Sequence, residues 1–301
     1  MFPGQGAQFV GMARDLIEKD DGTGEFLKKA EDLLNLPLGR LMVEGPGDEL
    51  QKTENAQPAI TFHSLALLRK LVDAGITPDA VAGHSLGEFA GLVAAGGLEP
   101  IDALLAVRAR GRAMAAAAPG GTGMVAVLGL DDAAVDRVCA EVQGVVPANY
   151  NAPGQVVISG SNDALEAVTP RLQEAGARRL VRLPVSAAFH SPLMKDAAAA
   201  FAETWDAITL RRLERPQVFN ADAAAHAEPG EIRPLMVGQL TGPVRWTQSV
   251  RRLRELGAST FVEIGPGRTL TGLVKKIVPE AVLHNIEDMA SLTAFLQAEH
   301  A

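Results

Sequence analysis

Gly83-His84-Ser85-Leu86-Gly87 is the stretch on which the reading of this chain turns. Upstream, Val81-Ala82 is a short apolar run after Pro78, which fits the end of a buried strand. Downstream, Leu86, Phe89, Ala90, Val93 and Ala94 recur at helical spacing. A G-x-S-x-G between strand and helix is the context of a nucleophile elbow, a strained turn that projects the serine Oγ. Backbone N–H groups at the helix start then face the position where an oxyanion develops. In a chain with 30 glycines the pattern alone is weak, and it competes with a Gly-rich turn carrying an incidental serine.

The composition narrows the function classes. A chain of 301 residues can bury a large core, as one large domain or two smaller ones. Its net charge of −8 argues against generic nucleic-acid binding. No apolar run reaches the length of a membrane span and no signal peptide is visible, so no membrane partner is expected. One cysteine, Cys139, excludes an internal disulfide and fits a reducing, cytoplasmic setting. It sits in an amphipathic helical stretch and reads as core packing. No Cys/His cluster has zinc-ligand spacing, so no metal is expected.

Along the chain, Phe2-Pro3-Gly4-Gln5-Gly6-Ala7-Gln8 is a loop whose preceding strand is missing or cut short, which could leave the sheet without an edge. Gln5 could donate an amide N–H into a site, or be a solvated loop residue. Helices are predicted over Val10–Ile17 and Phe26–Leu34, and a longer one opens at Gln57-Pro58 and ends at Gly75. Ile101–Met114 carries Arg108, Arg110 and Arg112. Residues two apart on a helix point about 200° apart, so the plain reading is a solvated basic face. From Gly120 the pattern becomes β-α-β-β-α-β: Met124–Leu128, Asp131–Val142, Val145–Asn149, Gln155–Ser159, Ala164–Glu174 and Arg179–Val185. That is the ferredoxin-like order, placed as a small inserted domain at 118–186, with 1–117 and 187–301 forming the large α/β domain. His190 follows the insertion in a loop of small residues, where the chain rejoins the main body. Of the six histidines it is the best candidate base. The α/β pattern then resumes with a strand at Gln217–Phe219, helices over Pro234–Leu240 and Trp246–Leu256, a strand at Thr260–Ile264 and a helix after Gly265-Pro266-Gly267.

Together these pieces resemble the malonyl-CoA:acyl carrier protein transacylase family, which includes the fatty-acid enzyme and the acyltransferases of polyketide synthases. The markers are Gly4-Gln5-Gly6-Ala7-Gln8, Gln57-Pro58-Ala59, Gly83-His84-Ser85-Leu86-Gly87-Glu88, Arg110-Gly111, Asn149-Tyr150-Asn151-Ala152-Pro153-Gly154-Gln155, Ala188-Phe189-His190-Ser191 and Glu263-Ile264-Gly265-Pro266-Gly267. They span almost the whole chain in one order. The resemblance implies an α/β-hydrolase-like large domain with a parallel sheet and an inserted ferredoxin-like small domain. It implies Ser85 as acyl-accepting nucleophile, His190 as general base, Arg110 as partner of the substrate carboxylate, and Gln5 and Leu86 as the oxyanion hole. Gln57, His84, Phe189, Asn151 and Gln155 fall in its pocket. Gln239 resembles the residue whose backbone carbonyl orients the histidine, which accounts for the lack of an obvious triad aspartate. The implied substrates are malonyl-CoA and a phosphopantetheinylated acyl carrier protein, with no bound cofactor and a monomeric enzyme. Ala188-Phe189-His190 reads as in the malonyl-selective polyketide branch, which favours a trans-acting polyketide acyltransferase over the fatty-acid enzyme.

Physical chemistry is consistent with that reading. Serine needs a base to become a nucleophile. A planar guanidinium matches a carboxylate with two parallel hydrogen bonds. Two alternatives use the same motifs: a hydrolase on the same Ser-His pair, which differs in water exclusion at the acyl-enzyme, and a non-catalytic docking domain. An intact Ser85, His190 and Arg110 argue against the second, and Arg110 favours transfer over hydrolysis.

Overall fold

The computed structural model describes residues 1–19, 22–118, 120–185 and 187–299. Its strands are β1 (Val81–Ala82), β2 (Thr122–Leu128), β3 (Val145–Ala152), β4 (Gln155–Ser161), β5 (Arg179–Arg182), β6 (Gln217–Val218), β7 (Ala225–His226), β8 (Thr260–Ile264) and β9 (Val282–Ile286). β1 pairs in parallel with β6, which takes β7 antiparallel; β8 and β9 form a second parallel pair. Residues 1 and 2 join the two. The Met1 amino group donates to the Val262 carbonyl at 2.7 Å, and the Ile264 N–H donates to the Met1 carbonyl at 2.9 Å. On the other side the Phe2 N–H reaches the Ala82 carbonyl at 3.1 Å, and the His84 N–H reaches the Phe2 carbonyl at 3.0 Å. The order across the sheet is thus β9, β8, residues 1–2, β1, β6, β7. The strand that looked short in the sequence does not cost the sheet an edge. It is a two-residue stub at the centre, held by ladder bonds on both sides.

Both faces of this sheet are covered, as parallel strands require. Val81 packs into the main core, while its neighbour Ala82 turns to the other side with Val218, Phe261, Trp246 and Val250. This alternation follows from the two-residue period of a strand.

The four strands β2 to β5 form a separate antiparallel sheet in the order β3-β4-β2-β5. Helices Asp132–Ala140 and Asn162–Glu174 follow β2 and β4, which completes the ferredoxin-like pattern. Val125, Val127, Val156 and Ile158 face those helices, against Val135, Cys139, Leu165, Val168 and Leu172. The alternate residues Met124 and Val157 face the main core instead. Burial pushes the Cys139 thiol up to about 12, in keeping with a packing role. A parallel bridge ties this sheet to the main body: the Val244 N–H donates to Ala148 at 2.8 Å, and the Tyr150 N–H donates to Val244 at 2.9 Å. The expected domain boundary at 186 falls outside the described residues.

Several expected helices shift. Val10–Ile17 shortens to Arg14–Ile17, and the strand predicted to reach Val185 ends at Arg182. The helix expected to open at Gln57-Pro58 runs from Thr53 to Asp73, with Pro58 inside it. A proline within a helix leaves the carbonyl four residues back without its N–H. That carbonyl, of Glu54, accepts instead from Arg108 Nη1 at 2.6 Å; the same nitrogen donates to Asn55 Oδ1 at 3.0 Å. Arg108 is therefore only 9% exposed, and the helix Pro100–Ala116 does not present the solvated basic face its spacing suggested. Pro234 likewise lies within a helix, Pro229–Gly238, and does not open one. Helices Lys195–Ala207 and Met289–Glu299 go unassigned from sequence: the Ala-rich run at 197–200 gives the first little polar contrast.

Candidate functional site

The elbow is built by close approach. A Cβ on Gly83 would come within 2.0 Å of the Gly87 carbonyl carbon, and one on Gly87 within 2.1 Å of the Phe2 carbonyl oxygen. Only glycine fits at both positions, so the helix Gly87–Ala94 packs directly onto the residue 1–2 stub. Ser85, between them, is forced to a φ of 49°, the left-handed region where a non-glycine residue is strained. Asn220, just beyond β6, holds the turn. Its Oδ1 accepts the Ser85 N–H at 2.6 Å, and its Nδ2 donates to the Gly83 carbonyl at 2.8 Å.

Two side chains converge at Ser85 Oγ. His190 Nε2 lies 2.9 Å away and Arg110 Nη2 also lies 2.9 Å away. On the far side of the imidazole, His190 Nδ1–H donates to the Gln239 backbone carbonyl at 2.7 Å. That bond fixes the tautomer, so the Nε2 lone pair faces Ser85 and the hydroxyl donates to it. His190 too has a positive φ, of 56°. Arg110 is 1% exposed, yet no carboxylate among the described residues touches its guanidinium. Nη1 donates to Gln57 Oε1 at 3.0 Å and Nη2 to Gln239 Oε1 at 2.7 Å; Nε has no acceptor among the described residues. Its Cζ lies 6.0 Å from the centre of the Phe89 ring. A buried guanidinium with neutral partners and an unused donor is arranged to take an anion.

The electrostatics follow from burial. Desolvation, and then the charge of Arg110, push the His190 imidazole down to about 3, so it is a neutral base at ordinary pH. Desolvation also lowers Arg110, to about 10, which leaves it cationic. Glu88, one helical turn beyond Ser85, is pushed up to about 8 by burial, against the opposing pull of the Asn220 N–H, Arg110 and Gln239.

The site opens into a cavity of about 310 Å³. Gln5, His84, Ser85, Arg110, Asn151, Gln155, Phe189 and His190 line it, with Met114, Met124, Val157 and Leu183. Gln57, Leu86 and Gln239 stand behind that lining, in contact with the groups that form it. His84 Nε2–H donates to Asn151 Oδ1 at 2.8 Å, and Gln155 Oε1 accepts from Lys276 Nζ at 3.0 Å. The Gln5 side chain turns away from Ser85, to Thr53 Oγ1 at 3.1 Å, so of its donors the backbone N–H is the one left for an oxyanion. A larger cavity of about 730 Å³ beside β1 and β8 is lined by no histidine, cysteine or arginine and offers no comparable chemistry.

Sequence reasoning missed Asn220, Glu88 and the side chain of Gln239. Asn220 had a signal: it follows the carboxyl end of a strand in a parallel sheet, where such folds gather their functional groups. Glu88 stood in the quoted motif, at a helical position that comes out fully buried.

The chain matches the family described as "Acyl transferase domain" over residues 1–296. It is 44% identical over 282 residues to the malonyl CoA-acyl carrier protein transacylase of Bacillus subtilis (strain 168), covering 92% of this chain and 89% of that protein. With the Escherichia coli (strain K12) protein of the same name it shares 40% identity over 302 residues, 99% of this chain and 98% of that one. Among solved structures, an acyl carrier protein S-malonyltransferase from Vibrio cholerae superposes with a TM-score of 0.94 at 39% identity, covering 98% of both chains. A type II PKS acyl-carrier protein complex with its malonyl-transacylase gives a TM-score of 0.95 at 41% identity, covering 99% of this chain and 98% of that one. With the match running through nearly every element described above, the chain belongs to the acyl transferase domain family.

Proposed function

We propose that this chain transfers a malonyl group from coenzyme A to the phosphopantetheine thiol of an acyl carrier protein, through an ester on Ser85. The observation that carries the reading is the convergence on one oxygen: Ser85 Oγ lies 2.9 Å from both His190 Nε2 and Arg110 Nη2, at the cavity they line together. A base and a carboxylate-binding cation at the same nucleophile suit a dicarboxylic acyl group better than a neutral one.

In this reading His190 Nε2 takes the Ser85 proton as Oγ attacks the thioester carbonyl. The N–H groups of Gln5 and Leu86 receive the oxyanion. Collapse expels the coenzyme A thiolate, which takes the proton back from His190. The phosphopantetheine thiol then gives its proton to His190 and attacks the ester, and His190 hands that proton to the departing Ser85 Oγ. The Gln239 carbonyl keeps the imidazole oriented through both halves, in the place an aspartate holds in a triad. Arg110 binds the free carboxylate, with Gln57 steadying the guanidinium. Phe189 limits the room beside the acyl group, and His84, Asn151 and Gln155 shape the cavity. Both halves balance in protons and charge with serine and histidine alone, so no cofactor is called for. Malonyl-CoA and carrier proteins are intracellular, which puts the reaction in the cytoplasm; one chain carries the whole site, which suits a monomer.

The division into 1–117 with 187–301, and 118–186, belongs to the same proposal. It is supported by the separate apolar core of the four-stranded sheet. Residues of that sheet then form one wall of the pocket and the main body supplies the chemistry.

Mass spectrometry tests the reading. Malonyl-CoA should add one malonyl mass to a peptide containing Ser85, and holo carrier protein should discharge it. Ser85→Ala should not be labelled. Labelling that persists in Ser85→Ala, or a malonyl ester that water releases as fast as the carrier does, would contradict it; the latter is the hydrolase outcome.

A further inference from the structure

Glu88 is 1% exposed and the mechanism above does not use it. It lies at the hub of the bonds that do matter. Its Oε1 accepts the Asn220 N–H at 2.5 Å, and Asn220 in turn anchors both Ser85 and Gly83. Its Oε2 accepts from Gln239 Nε2. The other end of that amide, Oε1, accepts from Arg110, and the Gln239 backbone carbonyl holds His190. One carboxyl group thus reaches Ser85, His190 and Arg110, each through a single intermediary, without touching any of them.

We infer that Glu88 is a positioning and specificity residue: it locks Asn220 and Gln239 in place, and its charge, carried to Arg110 across the Gln239 side chain, sets how strongly the site takes a carboxylate-bearing acyl group. The inference rests on the malonyl-transfer reading. No carboxylate among the described residues touches Arg110, on the helix Pro100–Ala116, and Glu88 is the acidic group whose charge acts on it. When Glu88 is neutral, the guanidinium is free to pair with the substrate carboxylate. When Glu88 is ionised, a second negative charge shares the same cation and the substrate is held less tightly. A neutral acyl group such as acetyl does not feel the difference.

The groups facing Glu88 agree on the window in which this shows. Burial holds its carboxyl to about 8, opposed by Arg110 and supported by the like charge of Asp222 beyond β6. His190, at about 3, does not titrate there, and Arg110, at about 10, keeps its charge.

The test compares malonyl-CoA with acetyl-CoA in acylation of Ser85 from pH 6.5 to 9. In the wild type, kcat/KM for malonyl relative to acetyl should fall as pH passes 8, by about tenfold, the scale on which one buried charge moves another. The change should sit in the malonyl-CoA KM and not in the acetyl-CoA KM. Glu88→Gln, which cannot ionise, should hold the ratio flat, and Glu88→Asp should restore the fall at a lower overall rate. A flat ratio in the wild type overturns the inference even if every variant misfolds. So does a Glu88→Gln enzyme that acylates and follows the wild-type curve. If the wild type does not acylate Ser85 with malonyl-CoA at any pH, the transfer reading itself has failed, which is a different result.

Discussion

The floor and the wall of the pocket are made differently. The floor, from the main body, is polar and almost fully buried: Ser85, His190, Arg110, Gln57 and Gln239 bond to one another across sequence gaps of 25 to 154 residues. The wall supplied by the four-stranded sheet is mixed: Met124 and Val157 from its strands and Leu183 just past β5 are apolar, while Asn149, Asn151 and Gln155 are amides; Phe189 adds a ring from the loop that follows. A buried polar floor tolerates no missing partner, because each unsatisfied group costs its desolvation. The apolar part of the wall tolerates substitution if the volume is kept. On the proposed function the floor carries the chemistry and charge selection, and the wall sorts acyl groups by shape.

The largest break in this contrast should come from the floor. His190→Ala should slow malonylation of Ser85 by two or more powers of ten, the scale of general base catalysis, in single-turnover assays. An equal loss in His84→Ala with none in His190→Ala would move the base to the wrong side of the elbow. A wall change should be milder and change preference more than rate. Phe189→Ala should raise kcat/KM for methylmalonyl-CoA relative to malonyl-CoA by about tenfold, the usual worth of one methyl group in a fitted pocket. An unchanged ratio would mean that the ring does not set the shape.

The smallest effect concerns acid. His190 is held neutral down to about 3 in the folded protein. An unfolded chain takes up that proton below about 6.5, so this group makes folding less favourable as pH falls from there towards 3. Between pH 7 and 5 the kcat/KM of the folded enzyme should stay flat on its account, while the thermal midpoint declines. An activity limb with an apparent pKa near 6.5 and no loss of stability would show that the imidazole is not buried as described.

The two regions also differed in how far the sequence revealed them. The elbow was legible because its glycines answer a local need: Gly83 and Gly87 each face backbone too close for a Cβ. The small sheet was legible because strands of alternating burial and their helices follow one another along the chain. The bracing beneath the floor was not, since Glu88 and Asn220 meet across 132 residues and no spacing rule links them. Arg108 was misread as solvated for a similar reason: its partner is a carbonyl freed by Pro58, half a hundred residues earlier. The central sheet position of residues 1–2 depends on β8 and β1 arriving on either side, which a two-residue stretch cannot signal by itself.

The central claim is that the floor selects by charge through Arg110. A carboxylate leaving water must regain strong hydrogen bonds, and charge-assisted ones are worth about 1.5–3 kcal/mol each. The measurement is kcat/KM for malonyl-CoA and for acetyl-CoA, in the wild type and in Arg110→Ala. Arg110→Ala should lose about two powers of ten or more on malonyl-CoA and gain on acetyl-CoA relative to it, because the unpaired buried charge that disfavoured a neutral acyl group is gone. A variant that keeps the wild-type preference for malonyl would contradict the account.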